Sequence, residues 1–210
     1  MMVARRLFHI AAMAATAALL SGCISLLPKS EPSQLYRFDA AAPPRRAALP
    51  DGQRVGVLKL NTSFSRTVSG DRILGITGSR AAFLAGSRWT GPASVLFDEA
   101  VARVFDGEDG VARLITRGEA GKASFVLRLE VRDFAAVYLS GPKAAPTVVV
   151  RMRAVLIRAN DRSLAGEKMF EARVRAGENR VGAIVEAFNE AVGRNLTELV
   201  GWTDVVAAAG

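Results

Sequence analysis

The chain has 210 residues, half of them hydrophobic, and a formal charge of +8, which suits one domain with a substantial core. Its one histidine is His9 and its one cysteine is Cys23. The chain beyond Cys23 therefore has no imidazole base, free thiol or disulfide, and no zinc or haem site built on His or Cys.

In chain order, Arg5 and Arg6 precede an apolar run over residues 7 to 20, followed by Ser21, Gly22 and Cys23. Basic, apolar and small residues in that order read as a secretory signal peptide. The cysteine directly after Leu20, Ser21 and Gly22 resembles the lipobox of bacterial lipoproteins, in which the thiol receives a diacylglyceryl group and becomes the new N-terminus. The competing readings are a transmembrane helix, for which the run is shorter than the roughly 20 residues a bilayer needs, and a plain secretory signal with an incidental cysteine. Cleavage would remove Arg5 and Arg6 and leave a charge of +6. In an exported chain that balance points to anionic lipid headgroups or an acidic partner, not to nucleic acid. Ile24, where aspartate would hold a lipoprotein at the inner membrane under the enteric sorting rule, directs the chain to the periplasmic face of the outer membrane.

Residues 24 to 32 read as a spacer interrupted by Pro28 and Pro32. Leu35 to Phe38 read as a first short strand with Tyr36 and Phe38 on one face. Residues 40 to 50, with Pro43, Pro44 and Pro50, read as a semi-extended connector. The expected organisation is a signal peptide over 1–22, an anchor, spacer and first strand over 23–50, and the main domain over 51–210. That domain opens with a strand to about Asn61. Residues 62 to 79 read as a Ser, Thr and Gly-rich loop holding one or two short strands, and residues 81 to 89 as a strand. A helix follows, with Thr90 able to cap and Pro92 in the first turn, and with Val95, Leu96, Ala100, Val104 and Phe105 at helical spacing. Gly107 and Gly110 end it.

The second half reads as a meander of strands over residues 111 to 116, 124 to 134, 147 to 158 and 164 to 175. In the second of these, Phe125, Leu127, Leu129 and Val131 alternate with Arg128, Glu130 and Arg132, so one face is apolar and the other charged. Charges of both signs on the outer faces predict cross-strand pairs. From about Asn179 to Trp202, apolar residues at three and four spacing predict an amphipathic helix, and residues 203 to 210 are expected to fray. The fold class is therefore α+β: a mixed, mostly antiparallel sheet with two main helices on one face.

Carboxylate-only catalysis and serine–lysine chemistry stay open, the latter with Ser63, Ser65 and Ser69 as the readiest nucleophiles and Lys29, Lys59, Lys122, Lys143 and Lys168 as the lysines. No glycine-rich phosphate loop or GxSxG elbow is present. The reading is a non-enzymatic protein that needs no metal and no cofactor.

Taken together, the lipobox at Cys23, the proline-containing spacer, the aromatic strand at Tyr36, the Arg88–Trp89 pair ahead of Pro92, and the closing helix with Ala187, Phe188, Ala191, Leu196 and Trp202 resemble the auxiliary lipoproteins of ABC-type transport systems. That family includes the paraquat-inducible lipoprotein partners of MCE-type lipid transporters. The sequence departs from it at Phe83, where the family carries a tyrosine, and in the glycine-rich stretch from Ser65 to Ser79. The resemblance implies a periplasmic component of a lipid-transport system, whose partners are an MCE-family protein and its ABC transporter, with phospholipid contact and self-association as further possibilities. It marks Cys23 as the lipidation site and Arg88 and Trp89 as candidate partner contacts, against the ordinary role of such a tryptophan as a packing anchor. A lipid carrier with an acyl-binding cleft, and an assembly or secretion lipoprotein that builds its own ring, are the alternative functions.

Overall fold

The computed structural model describes residues 33–38, 54–107, 110–115, 118 and 123–210. The signal peptide, Cys23, the spacer and the proline-rich connector lie outside them. The sheet is built around β7 (Phe125–Val137), whose alternation of apolar and charged residues buries Phe125, Leu127, Leu129 and Val131. On one side β7 pairs antiparallel along its length with β8 (Thr147–Arg158), which pairs in turn with β9 (Leu164–Arg175). On its other side three short strands follow one another in parallel. They are β2 (Val55–Lys59) at Phe125 to Leu127, β3 (Ser63–Phe64) at Glu130 and Val131, and β4 (Arg72–Thr77) at Ala136 and Val137. Beyond β2 lies β6 (Ala112–Ile115). Beyond β4 lies β5 (Arg80–Trp89), and β1 (Gln34–Tyr36) lies beyond that. The long pairings are antiparallel and the short ones, apart from the β4–β5 hairpin, are parallel, as the mixed-sheet reading expects.

Two irregularities tune this sheet. In β7 the register against β8 shifts between Val131 and Asp133, so Arg132 is an extra residue, and the inward positions change from odd to even at Phe134 and Ala136. Such a bulge bends the strand while keeping its apolar side on the core. In the β4–β5 hairpin the register jumps from Arg72↔Arg88 to Leu74↔Phe83. The slack is taken up around Gly86, whose φ of +61° favours glycine.

Two helices cover the sheet: α1 (Ala93–Gly107) and α2 (Val181–Ala208). The first helical bond of α1 runs from the Leu96 N–H to the Pro92 carbonyl, so Pro92 is the boundary residue. Thr90 does not start the helix; its N–H donates to the Tyr36 carbonyl and ties β1 to the end of β5. The expectation that residues 203 to 210 fray is overturned. Thr203 and Ala207 are buried, and Asp204 accepts the N–H of Ala112 at 2.7 Å, so the last turns of α2 hold the start of β6. Between helices and sheet, Phe38, Phe64, Trp89, Phe97, Phe134 and Phe188 form an aromatic cluster with edge-on and tilted contacts. Asn195, buried in α2, donates its side-chain amide to the Val150 carbonyl of β8 and fixes the helix to the sheet at one polar point.

Candidate functional site

The Arg88–Trp89 pair closes β5, where alternation sends neighbouring side chains to opposite faces. Trp89 is 2% exposed, and its ring meets Phe38 at 5.2 Å and Phe188 at 5.3 Å, both edge-on. It offers no surface to a partner, so of the two residues picked out from the sequence only Arg88 is placed for contact. Asp71 serves both. Its carbonyl accepts the Trp89 N–H, and its carboxylate accepts a hydrogen bond from Arg88 at 2.8 Å. That hydrogen bond from Arg88 is the main reason the Asp71 carboxyl stays below its ordinary value, against an opposing effect of desolvation. Asp71 fell in the glycine-rich stretch that fits the family pattern poorly, and nothing in its local sequence marked it.

Cross-strand registry widens the site. Arg88 stands opposite Leu35 on β1 and Arg72 on β4. Leu35 is 64% exposed, and the Arg72 guanidinium lies 5.0 Å from the centre of the half-exposed Phe83 ring, a cation–π contact. Ser33, Arg72, Phe83 and Arg88 line an open groove of about 220 Å³. The result is an exposed patch of arginines and apolar side chains on the β1–β5–β4 face, with Asp71 as its acid. A second open groove, about 490 Å³, runs from Gly75 and Thr77 past Leu84 to Tyr138. Both open to the surface, whereas the space between helices and sheet is filled by the aromatic cluster.

Four arginines on the outer face of the long strands are met by carboxylates. Arg151 pairs with Asp133 at 2.5 Å across β7 and β8, and Arg153 makes two hydrogen bonds to Glu167 of β9 at 2.7 and 2.8 Å. Hydrogen bonding to Arg153 holds Glu167 below its ordinary value, and the same bond raises Arg153. Arg132 with Glu130, and Arg173 with Glu171, pair along single strands. Two of the side chains that a serine–lysine dyad could use, Lys59 and Ser69, are engaged elsewhere. The Lys59 amine is bound by Asp98 of α1, which also accepts from Thr62, and the Ser69 hydroxyl donates to the Arg66 carbonyl. Among the described residues no group of three or more acidic, His or Cys residues could hold a metal, and no helix is long and apolar enough to cross a membrane.

The model of the ABC-type transport auxiliary lipoprotein component family matches residues 36–200. The chain belongs to this family. The auxiliary component has the fold of several solved structures. One is protein XCC0632 from Xanthomonas campestris, with 22% identity and a TM-score of 0.71 over 84% of this chain and 98% of that one. Another is the hypothetical protein CT253 from Chlamydia trachomatis, with 15% identity and a TM-score of 0.52 over 75% of this chain and 99% of that one. At these identities the likeness is one of fold. Among curated proteins none matches. The matched region begins at Tyr36, on the strand that carries Leu35, and takes in Arg72, Phe83 and Arg88, so the patch is part of the auxiliary component's own domain.

Proposed function

We propose that this auxiliary component is the lipid-anchored, non-catalytic element of an envelope lipid-transport system. Cys23 holds it at the periplasmic face of the outer membrane, and it docks onto an MCE-family protein served by an ABC transporter. Membership of the transport auxiliary family over residues 36–200 carries this reading. The geometry supports docking over carrying. The interior is closed by Trp89, Phe134 and Phe188, while Leu35, Arg72, Phe83 and Arg88 form an exposed basic and apolar patch suited to an acidic-rimmed apolar partner surface. Arg88 is the contact residue proposed from this patch. A two-acyl anchor is effectively permanent, so it raises the effective concentration of the domain for any partner at the same membrane.

The test is genetic. Deleting the auxiliary component should alter envelope phospholipid distribution to the same extent as deleting the transporter, and the double deletion should be no worse. Wild type should restore it and Cys23→Ala should not. Additive defects in the double deletion would contradict the proposal.

A further inference from the structure

β1 runs parallel to β5, with Gln34 beside Ser87 and Tyr36 beside Trp89. Ser33 already lies in the groove formed by Phe83 to Ser87. The ten residues from Cys23 to Ser33 reach at most about 35 Å when fully extended. A tether of that length lets the domain reach the surface that the anchor occupies.

Three connections meet at the end of the sheet that carries the β4–β5 turn at Gly78. The Tyr138 N–H donates to the Ile76 carbonyl at the end of β4, its hydroxyl bonds Asn179 ahead of α2, and the Asn179 amide donates to the Pro142 carbonyl of the β7–β8 turn. Thr147, where β8 begins, pairs with Arg175, where β9 stops. Arg80, Lys143 and Arg175 stand exposed on these connections, and none has an acidic partner among the described residues. Leu139, just after β7 in the β7–β8 turn, is 72% exposed. The arginines Arg132, Arg151, Arg153 and Arg173 on the sheet face are, by contrast, each met by a carboxylate. Unpaired cations around one protruding leucine fit an interface with headgroups and the outermost acyl region, where a cation gains from anionic lipid and an apolar tip from insertion.

We propose that the end of the sheet carrying Arg80, Leu139, Lys143 and Arg175 lies against anionic phospholipid headgroups of the membrane to which the chain is anchored. The proposal rests on the anchored reading of Cys23 only for there being a membrane beside the domain, and its test is independent of that anchor. The experiment uses residues 23–210 with Cys23→Ser, which retain the compact unit Ser33–Gly210 and its core. Co-sedimentation is measured with vesicles of phosphatidylethanolamine and phosphatidylglycerol, and with phosphatidylcholine alone.

Binding is expected to the anionic vesicles only, and to be lost at 0.5 M salt, where charges beyond about 4 Å are screened. Each basic residue near an anionic surface is worth about fivefold in affinity, so R80A/K143A/R175A should bind roughly a hundredfold more weakly. R80K/K143R/R175K should bind like the parent, and Leu139→Asp should also weaken binding. The control R128A/R132A/R162A removes the same charge from the sheet face and the opposite turn and should bind like the parent. Equal binding to both vesicle types, unchanged binding of the first triple variant, or an equal loss in the control would each overturn the proposal. Mass analysis of the processed N-terminus tests lipidation of Cys23 separately, so failure of the anchor and failure of this face are told apart.

Discussion

Replacing Trp89 by alanine separates the two halves of the Arg88–Trp89 pair. The ring is 2% exposed and wedged between Phe38 and Phe188, with Phe134 6.1 Å away. Truncating a fully buried aromatic costs about 3 to 5 kcal/mol in lost transfer energy and residual cavity. Because the neighbours are themselves large rings held by β7, by α2 and by the residues just after β1, the site has little freedom to collapse, and the cost belongs near the upper end of that range. Arg88 sits in a pair whose side chains are 40% and 44% exposed, so Arg88→Ala should cost less than about 1 kcal/mol. Urea unfolding followed by far-UV circular dichroism gives both values, with an unchanged slope showing that the unfolded states match. A Trp89→Ala cost below about 1 kcal/mol, or an Arg88→Ala cost as large as that of Trp89→Ala, would refute the assignment of Trp89 to the core and Arg88 to the surface.

Ending the chain after Trp202 removes Thr203, Asp204 and Ala207, and should lower stability by more than about 2 kcal/mol in the same assay, far above the cost of losing a frayed tail. Asp204→Ala removes only the acceptor for the Ala112 N–H and should accelerate hydrogen exchange across β6 with a smaller global loss. Asn195→Ala leaves the Val150 carbonyl buried without its donor, and should cost about 1 to 3 kcal/mol although no large side chain is lost. The Asp71 carboxyl titrates below its ordinary value of 3.8 in the folded protein, so its pairing stabilises the fold above that pH and is lost as the pH falls through the lower folded value. The stability difference between wild type and Asp71→Asn should therefore be small, constant from neutral pH to about 5, and shrink below about 4.

The long strands were legible because each buries one face only. Residues 125 to 131 and 170 to 174 alternate without interruption, and period two leaves one interpretation. The stretch from residue 54 to 77 was harder, since β2, β3 and β4 are short, follow one another along β7 and are each set by that neighbour more than by their own pattern. The first short strand, grouped by sequence with the anchor, pairs with β5 inside the main sheet. The change of parity at Arg132 is invisible locally because Ala135 and Ala136 are both apolar. The sequence pattern ends α2 too early for the opposite reason: Thr203 and Asp204 look like solvent residues, but the start of β6 gives Asp204 a backbone donor and the Leu199 carbonyl gives Thr203 an acceptor. At the candidate site, Arg88 and Trp89 were visible as a motif, yet which of them faces outward depends on the strand pairing. Leu35, Asp71, Arg72 and Phe83 come to Arg88 from three segments, and only registry brings them together.

Docking onto a transport partner is measured most directly by affinity purification of the anchored protein from its native envelope, with Cys23→Ala as the unanchored control and Arg88→Glu as the surface control. Recovery of an MCE-family protein and its ABC transporter with the wild type, reduced in Cys23→Ala and lost in Arg88→Glu, is the predicted result. Stoichiometric phospholipid without either protein would contradict it and put a lipid carrier in its place.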